Sequence, residues 1–160
     1  MDYLWSPWRY QYVTTAEHAP GCIFCELPAQ HRDRENYIVH RGRLNFVILN
    51  RFPYTSGHLM VVPYEHVPTL DQVKEETAAE LILLAREAET HLRANYSPDG
   101  LNMGINIGKA AGAGVAGHVH MHVLPRWVAD ANFMTSVGEA RVLPEDLEIT
   151  FDKLSRAWKR

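Results

Sequence analysis

The sequence predicts an α+β domain, a mostly antiparallel five-stranded sheet with one main helix and a C-terminal helix. Three observations carry that prediction. Five short segments are apolar in runs or by alternation and are punctuated by Gly, Pro or Asn. One long stretch, Val73 to Tyr96, repeats apolar residues at helical spacing. A shorter stretch near the end does the same with Leu147, Phe151, Leu154 and Trp158.

Taken in order, residues 1–36 begin aromatic and Pro-containing and become charged from Gln30 to Glu35, which suggests an arm with short turns. Trp5 and Trp8 read as packing residues of that arm. Glu26-Leu27-Pro28 is a poor continuation for a helix. Tyr37 to Arg41 and Phe46 to Leu49 read as two strands joined at the Gly42 turn. Asn50 to Gly57 is a loop marked by Pro53 and Gly57, followed by a buried strand from His58 to Val62. In the long helix Ala78, Leu81, Ile82, Ala85, Ala88 and Leu92 form the apolar set. Glu75 and Glu76 sit in its first turns, where the helix dipole favours them, and Pro98 lies just past its end. Leu101 to Ile107 is the next strand, and Gly108 to Gly117 is a Gly- and Ala-rich connection. These elements group as an arm (1–36), a central domain (37–135) and a helical extension (136–160).

The last strand carries the chemistry. From Gly117 to Pro125, His118, His120 and His122 alternate with Val119, Met121 and Val123, the pattern of a half-buried strand. Same-side positions on a strand repeat at about 6.6–6.8 Å, so the three imidazoles form one row while the apolar set enters the core. Imidazole serves as nucleophile, proton carrier or metal ligand near neutrality. The glycine loop before it lets backbone N–H groups approach an anion, so a phosphate cradle is expected, with Lys109 able to add charge.

At 160 residues the chain makes one domain, and 46% hydrophobic with 22% charged residues is ordinary for a soluble protein. A net charge of -3 supplies no general attraction for nucleic acid, and none is expected as a partner. Met1-Asp2-Tyr3-Leu4-Trp5 lacks signal-peptide regions, and no apolar run approaches the roughly 18 residues of a membrane span. A cytoplasmic protein is expected. Its two cysteines, in Cys22-Ile23-Phe24-Cys25, suit a metal clip or a redox pair in a reducing compartment. A four-ligand zinc site needs two more donors, and histidines are their expected source. His66 gains weight on that ground, whereas His18, His31, His40 and His91 read as incidental.

The stretch Gly117 to Pro125, together with Asn50-Arg51-Phe52-Pro53 and Gly57-His58-Leu59-Met60-Val61-Val62-Pro63, resembles the histidine triad family. Leu4-Trp5-Ser6-Pro7-Trp8-Arg9, Tyr54-Thr55-Ser56-Gly57-His58 and Pro125-Arg126-Trp127 with Asp130-Ala131-Asn132-Phe133 are similar to its bacterial branch with diadenosine tetraphosphate phosphorylases, close to the fragile-histidine-triad hydrolases. The resemblance implies a homodimer and a dinucleoside polyphosphate or related nucleotide attacked at its α-phosphorus. It implies His120 as the nucleophile that becomes nucleotidylated, with water or inorganic phosphate as acceptor. His118 and His122 complete the catalytic row, with His122 and His58 on the phosphate. Asn50 falls at a ribose-contacting position, Asn106 near the phosphate, and Gly112 and Gly114 in the phosphate loop. Cys22, Cys25, His66 and His118 match a structural zinc set with no open position. Many hydrolases of the family carry Gln or Ser/Thr where this chain has Gly114 and Val115, which leaves hydrolysis and phosphorolysis both open. The other readings are a generic nucleoside phosphoramidate or nucleotide hydrolase and a nucleotide-binding regulatory module.

Overall fold

The computed structural model describes residues 21–128, 130 and 144–159. The expectations for Trp5, Trp8, His18 and the loop after Phe133 lie outside these residues. Five strands are present: β1 (Ile38–Arg41), β2 (Asn45–Leu49), β3 (Leu59–Pro63), β4 (Gly100–Ile105) and β5 (Met121–Arg126). They form one sheet in the order β1-β2-β3-β5-β4, and every neighbouring pair is antiparallel. The α-helices are α1 (Ile23–Ala29), α2 (Glu75–Tyr96) and α3 (Leu147–Ala157). The α+β class and the five-stranded sheet are as the sequence predicts. Among the described residues no helix is long and apolar enough to cross a membrane.

Side-chain alternation divides the sheet between two cores. Val47, Leu49, Leu59, Val61 and Val123 pack with Leu81, Leu84, Ala85, Ala88 and Leu92 of α2 and with Phe151 and Leu154 of α3. Ile38, Phe46, Ile48, Met60 and Val62 form the second core with Phe24 of α1. Along α2 the buried stripe is Thr77, Leu81, Leu84, Ala85, Ala88 and Leu92. Ile82, expected in that stripe, is instead 57% exposed. It lies about 100° around the helix from Leu81, and Leu84 fills the gap at i+3.

Two further expectations are corrected. The CxxC segment is a helix despite Pro28. A proline inside a helix deprives one carbonyl of its partner. Here side chains serve the last turn: Asn36 Nδ2 donates to the Leu27 carbonyl at 3.0 Å and Arg41 to the Pro28 carbonyl at 2.8 Å. Arg41 is itself held by Asp33 at 2.7 Å. The histidine strand starts at Met121 rather than Gly117. Pairing with β3 runs from Leu59–Val123 to Val61–Met121, and two residues further β3 reaches Pro63, which has no N–H to give. Val119 bonds instead to the Val67 carbonyl at 2.8 Å, and β4 likewise ends at Ile105 rather than Ile107.

Candidate active site and metal centre

His58 immediately precedes β3, His122 lies in β5, and His118 and His120 precede that strand. The register pairs Met60 with His122 and Gly104 with His122, so His122 stands on the face of the sheet that carries the second core. His120 joins it there, with the two rings 4.9 Å apart. The predicted row is therefore a pair, with His120 buried at 4% exposed and His122 half-buried, while His118 is 0% exposed. His118 turns away from the pair toward the cysteines.

Hydrogen bonds set which nitrogen of each ring carries its proton. A backbone carbonyl only accepts and a backbone N–H only donates, so each such partner decides a tautomer. His120 Nδ1 lies 2.8 Å from the His118 carbonyl and must carry a proton, which leaves the neutral ring's lone pair on Nε2. Burial pushes the His120 pKa below the ordinary histidine value, opposed by this same bond, so the neutral form prevails near pH 7. On the other side of the pair, the Tyr54 N–H donates to His58 Nδ1 at 3.1 Å. His58 then carries its proton on Nε2 and donates to His122 Nδ1 at 2.9 Å. His122 is left with its proton on Nε2. One ring thus presents a lone pair and its neighbour an N–H donor.

The four residues expected to bind metal come together. The ligand atoms of Cys22, Cys25, His66 and His118 all lie within 4.8 Å of one another. Cys22 Sγ is 3.3 Å from His118 Nδ1, and Cys25 Sγ is 3.3 Å from His66 Nδ1. His118 Nε2 lies 2.9 Å from the Pro63 carbonyl, so its proton is there and its Nδ1 lone pair faces the sulfurs. Burial first, then the neighbouring Cys22, pushes the Cys25 thiol up to about 11. Two sulfurs and two imidazole nitrogens at these distances fit a tetrahedral divalent cation such as zinc.

A cavity of about 490 Å³ opens between α1 and the sheet. Ile23, Phe24 and Leu27 form one wall and Ile48 and Met60 the other, while Asn50, Lys109 and Gly114 also line it. Asn50 Oδ1 accepts from the Phe52 N–H at 2.9 Å, and its Nδ2 approaches His58 Nδ1 at 3.4 Å. Asn106 follows β4, one position past the Ile105–Met121 pair. Gly108 and Gly112 have φ of 79° and 89°, the left-handed region that glycine tolerates, on either side of a 3₁₀ turn (Lys109–Ala111). Three contributors escaped the sequence reading. Phe24 packs edge-on to His118 at 5.5 Å and lies 4.9 Å from His120. Tyr54 supplies the N–H and stacks over His122 at 6.1 Å. The Pro63 carbonyl orients His118. Phe24 was marked only by its place inside the CxxC, and Tyr54 and Pro63 only by lying in the stretches around His58 that carry the resemblance.

The chain falls in a recognised class. The HIT domain model matches residues 32–128, and the chain belongs to the HIT family, a catalytic family of nucleotide phosphorylases and hydrolases. It is similar to the AP-4-A phosphorylase of Mycobacterium tuberculosis, 39% identical over 98% of this chain and 84% of that one. It is also similar to the bis(5'-adenosyl)-triphosphatase of Dictyostelium discoideum, 32% identical over 58% of this chain and 62% of that one. Among solved structures, a Zn-bound histidine triad family protein from Mycobacterium smegmatis superposes with a TM-score of 0.70. It is 28% identical and covers 87% of this chain and 94% of its own.

Proposed function

We propose that this protein cleaves dinucleoside polyphosphates of the diadenosine tetraphosphate type at the α-phosphorus, through a nucleotidyl group carried on His120, with inorganic phosphate as acceptor. The observation that carries this reading is the proton held on His120 Nδ1 by the His118 carbonyl, which leaves Nε2 free to attack. In the first step the Nε2 lone pair forms the P–N bond, and the bond from phosphorus to the bridging oxygen of the leaving nucleotide breaks. In the second step a phosphate oxygen attacks the same phosphorus and the P–N bond breaks, returning His120 and releasing a nucleoside diphosphate. The His122 Nε2–H donates to the phosphoryl oxygens as charge develops, and His58 holds it in that tautomer. Asn50 takes the ribose, Asn106 and the backbone of Gly112 and Gly114 take the phosphates, and the apolar cavity takes the base.

Cys22, Cys25, His66 and His118 would hold zinc as a closed structural site. Bound there, the metal would tie α1 to the segment that carries His120. Residues 37–135 form the catalytic portion in this reading, with 1–36 supplying the metal half-site and 136–160 a helical extension. Among the described residues β4 is the last strand of the sheet, and Met103 and Ile107 on and beside it are exposed, which supports a homodimer. A cytoplasmic setting would keep both thiols reduced. Phosphorolysis is favoured over hydrolysis by the similarity to the mycobacterial phosphorylase and by Gly114 and Val115, which bring no polar side chain to the loop. Incubation with diadenosine tetraphosphate separates the outcomes. ADP plus ATP formed only with added phosphate supports the proposal, AMP plus ATP without it means hydrolysis, and binding without turnover means a regulatory module.

A further inference from the structure

Between the histidines and the far end of the cavity, the sheet register measures out a path. Asn50 is joined to β3 by its N–H on the His58 carbonyl, and Leu49 to the β1 side by its N–H on the Tyr37 carbonyl. Asn36, next to Tyr37, therefore stands one strand further from His122 than Asn50 does. Adjacent strands lie about 4.7–4.9 Å apart. With phosphorus at His120 and ribose at Asn50, that additional strand spacing is where a base would lie, between Leu27 of α1 and Ile48 of β2.

Asn36 lines this end of the cavity, and its amide is held in one orientation. Nδ2 donates to the Leu27 carbonyl at 3.0 Å and to Gln30 Oε1 at 3.0 Å. The Leu27 carbonyl only accepts, so the nitrogen and not the oxygen must face it. Both amide hydrogens are thereby used, and among the described residues Oδ1 has no hydrogen-bond partner. The neighbouring backbone donors are used as well, the Asn36 N–H on the Arg32 carbonyl and the Tyr37 N–H on the Arg34 carbonyl. Glu35 nearby pairs with Arg32 at the surface. At this rim of the cavity Asn36 Oδ1 is an acceptor fixed in place by its own amide bonds, with the Arg51 guanidinium also in the lining.

We propose that Asn36 is a specificity-determining residue whose Oδ1 accepts from the exocyclic amino group of the base, so that the site selects adenine over bases with a carbonyl at that position. The inference rests on the nucleotide reading above and deepens it. An amino group meets Oδ1 as a donor, whereas a carbonyl there sets two acceptors against each other and leaves both unpaired. One such hydrogen bond corresponds to about a five- to tenfold change in affinity.

Calorimetric titration of the zinc-loaded protein with AMP, IMP and purine riboside 5′-monophosphate tests this without altering the chain. AMP should bind about five- to tenfold more tightly than the other two. Asn36→Ala should bring AMP down to the IMP level and leave IMP within about twofold, while Asn36→Asp, which keeps an acceptor, should retain the preference for AMP. Because Asn36 also caps α1, zinc content and melting temperature of each variant are measured alongside. Equal binding of AMP and IMP by the unaltered protein, or an AMP preference that survives Asn36→Ala, would overturn the assignment. If none of the three nucleotides binds, the nucleotide reading itself fails, and the result is distinguishable from a loss of selectivity alone.

Discussion

Replacing His58 by Leu removes the middle of a three-member chain. His58 is 1% exposed, accepts from the Tyr54 N–H at 3.1 Å and donates to His122 Nδ1 at 2.9 Å. Leucine fills much of the volume but supports neither bond. The Tyr54 N–H and His122 Nδ1 each lose a partner, at about 1–3 kcal/mol for each group that stays out of water, so a loss of about 2–6 kcal/mol in stability is expected. The catalytic loss arises differently. Without a donor on Nδ1, His122 can take the other tautomer and turn a lone pair toward the phosphate oxygens. Removing one donor from a developing oxyanion costs about 10²–10³ in kcat, and a partly populated wrong tautomer should cost roughly 10²-fold. His58→Gln separates this from simple packing. The Gln side chain can place its oxygen to accept from Tyr54 and its nitrogen to donate to His122, so it should stay within about tenfold of the unaltered enzyme. The assay is kcat/KM for diadenosine tetraphosphate with added phosphate, together with ¹⁵N shifts that report the His122 tautomer. If folded His58→Leu turned over within about threefold of the unaltered enzyme, the relay would have no catalytic role.

Other consequences are equally open to measurement. Glu80 accepts from the N–H groups of Arg43, Leu44 and Asn45 and from Asn45 Nδ2, closing the β1–β2 turn onto α2. Glu80→Ala strands the buried Asn45 N–H and should cost about 3 kcal/mol, roughly 6–12 °C in Tm, with a much smaller loss for Glu80→Gln. Trp158 lies between His40, stacked at 5.8 Å, and His91 at 4.3 Å, against α2 and β1. Burial lowers both histidine pKa values, opposed by Glu87 and, for His40, Glu80, while His40 further lowers His91. The unfolded chain then binds more protons than the folded one just below the ordinary value of about 6.5. Stability is therefore full above that value and falls as pH drops toward the depressed folded values. Melting curves from pH 7.5 to 5 should show this decline, and the double variant His40→Gln, His91→Gln should flatten it. Cys25→Ser should reduce zinc stoichiometry from about one per chain toward zero. Chelation should lower the Tm of the unaltered protein but leave that of the variant nearly unchanged.

Most of the fold was legible because burial imposes period two on strands and 3.6 on helices, and both periods stand in the residues. β2 and β3 are buried on both faces, Asn45–Leu49 and Leu59–Pro63, and such continuous runs mark strands without fixing their register. What periodicity could not express was tertiary. Two side chains outside α1, Asn36 and Arg41, bond the carbonyls of its last turn, contacts that helical periodicity does not encode. Alternation at His118 and His120 looked like a strand because it counts only local facing. The loss of ladder donors at Pro63 ended the strand at Met121. At the site, residue types and spacing brought forward the histidines and the CxxC. The tautomers depend on the His118 and Pro63 carbonyls and the Tyr54 N–H, groups every residue carries, and so they leave no mark in sequence.

The central claim is that His120 Nε2 becomes bonded to phosphorus. Brief reaction with diadenosine tetraphosphate in the absence of phosphate, a basic quench that preserves the acid-labile P–N bond, and peptide mass spectrometry test it directly. The account predicts one adenylyl group on His120 that disappears when inorganic phosphate is added, with ADP as the product, and His120→Ala that binds nucleotide but forms no adduct. An adduct on another residue, or full turnover by His120→Ala, would contradict it.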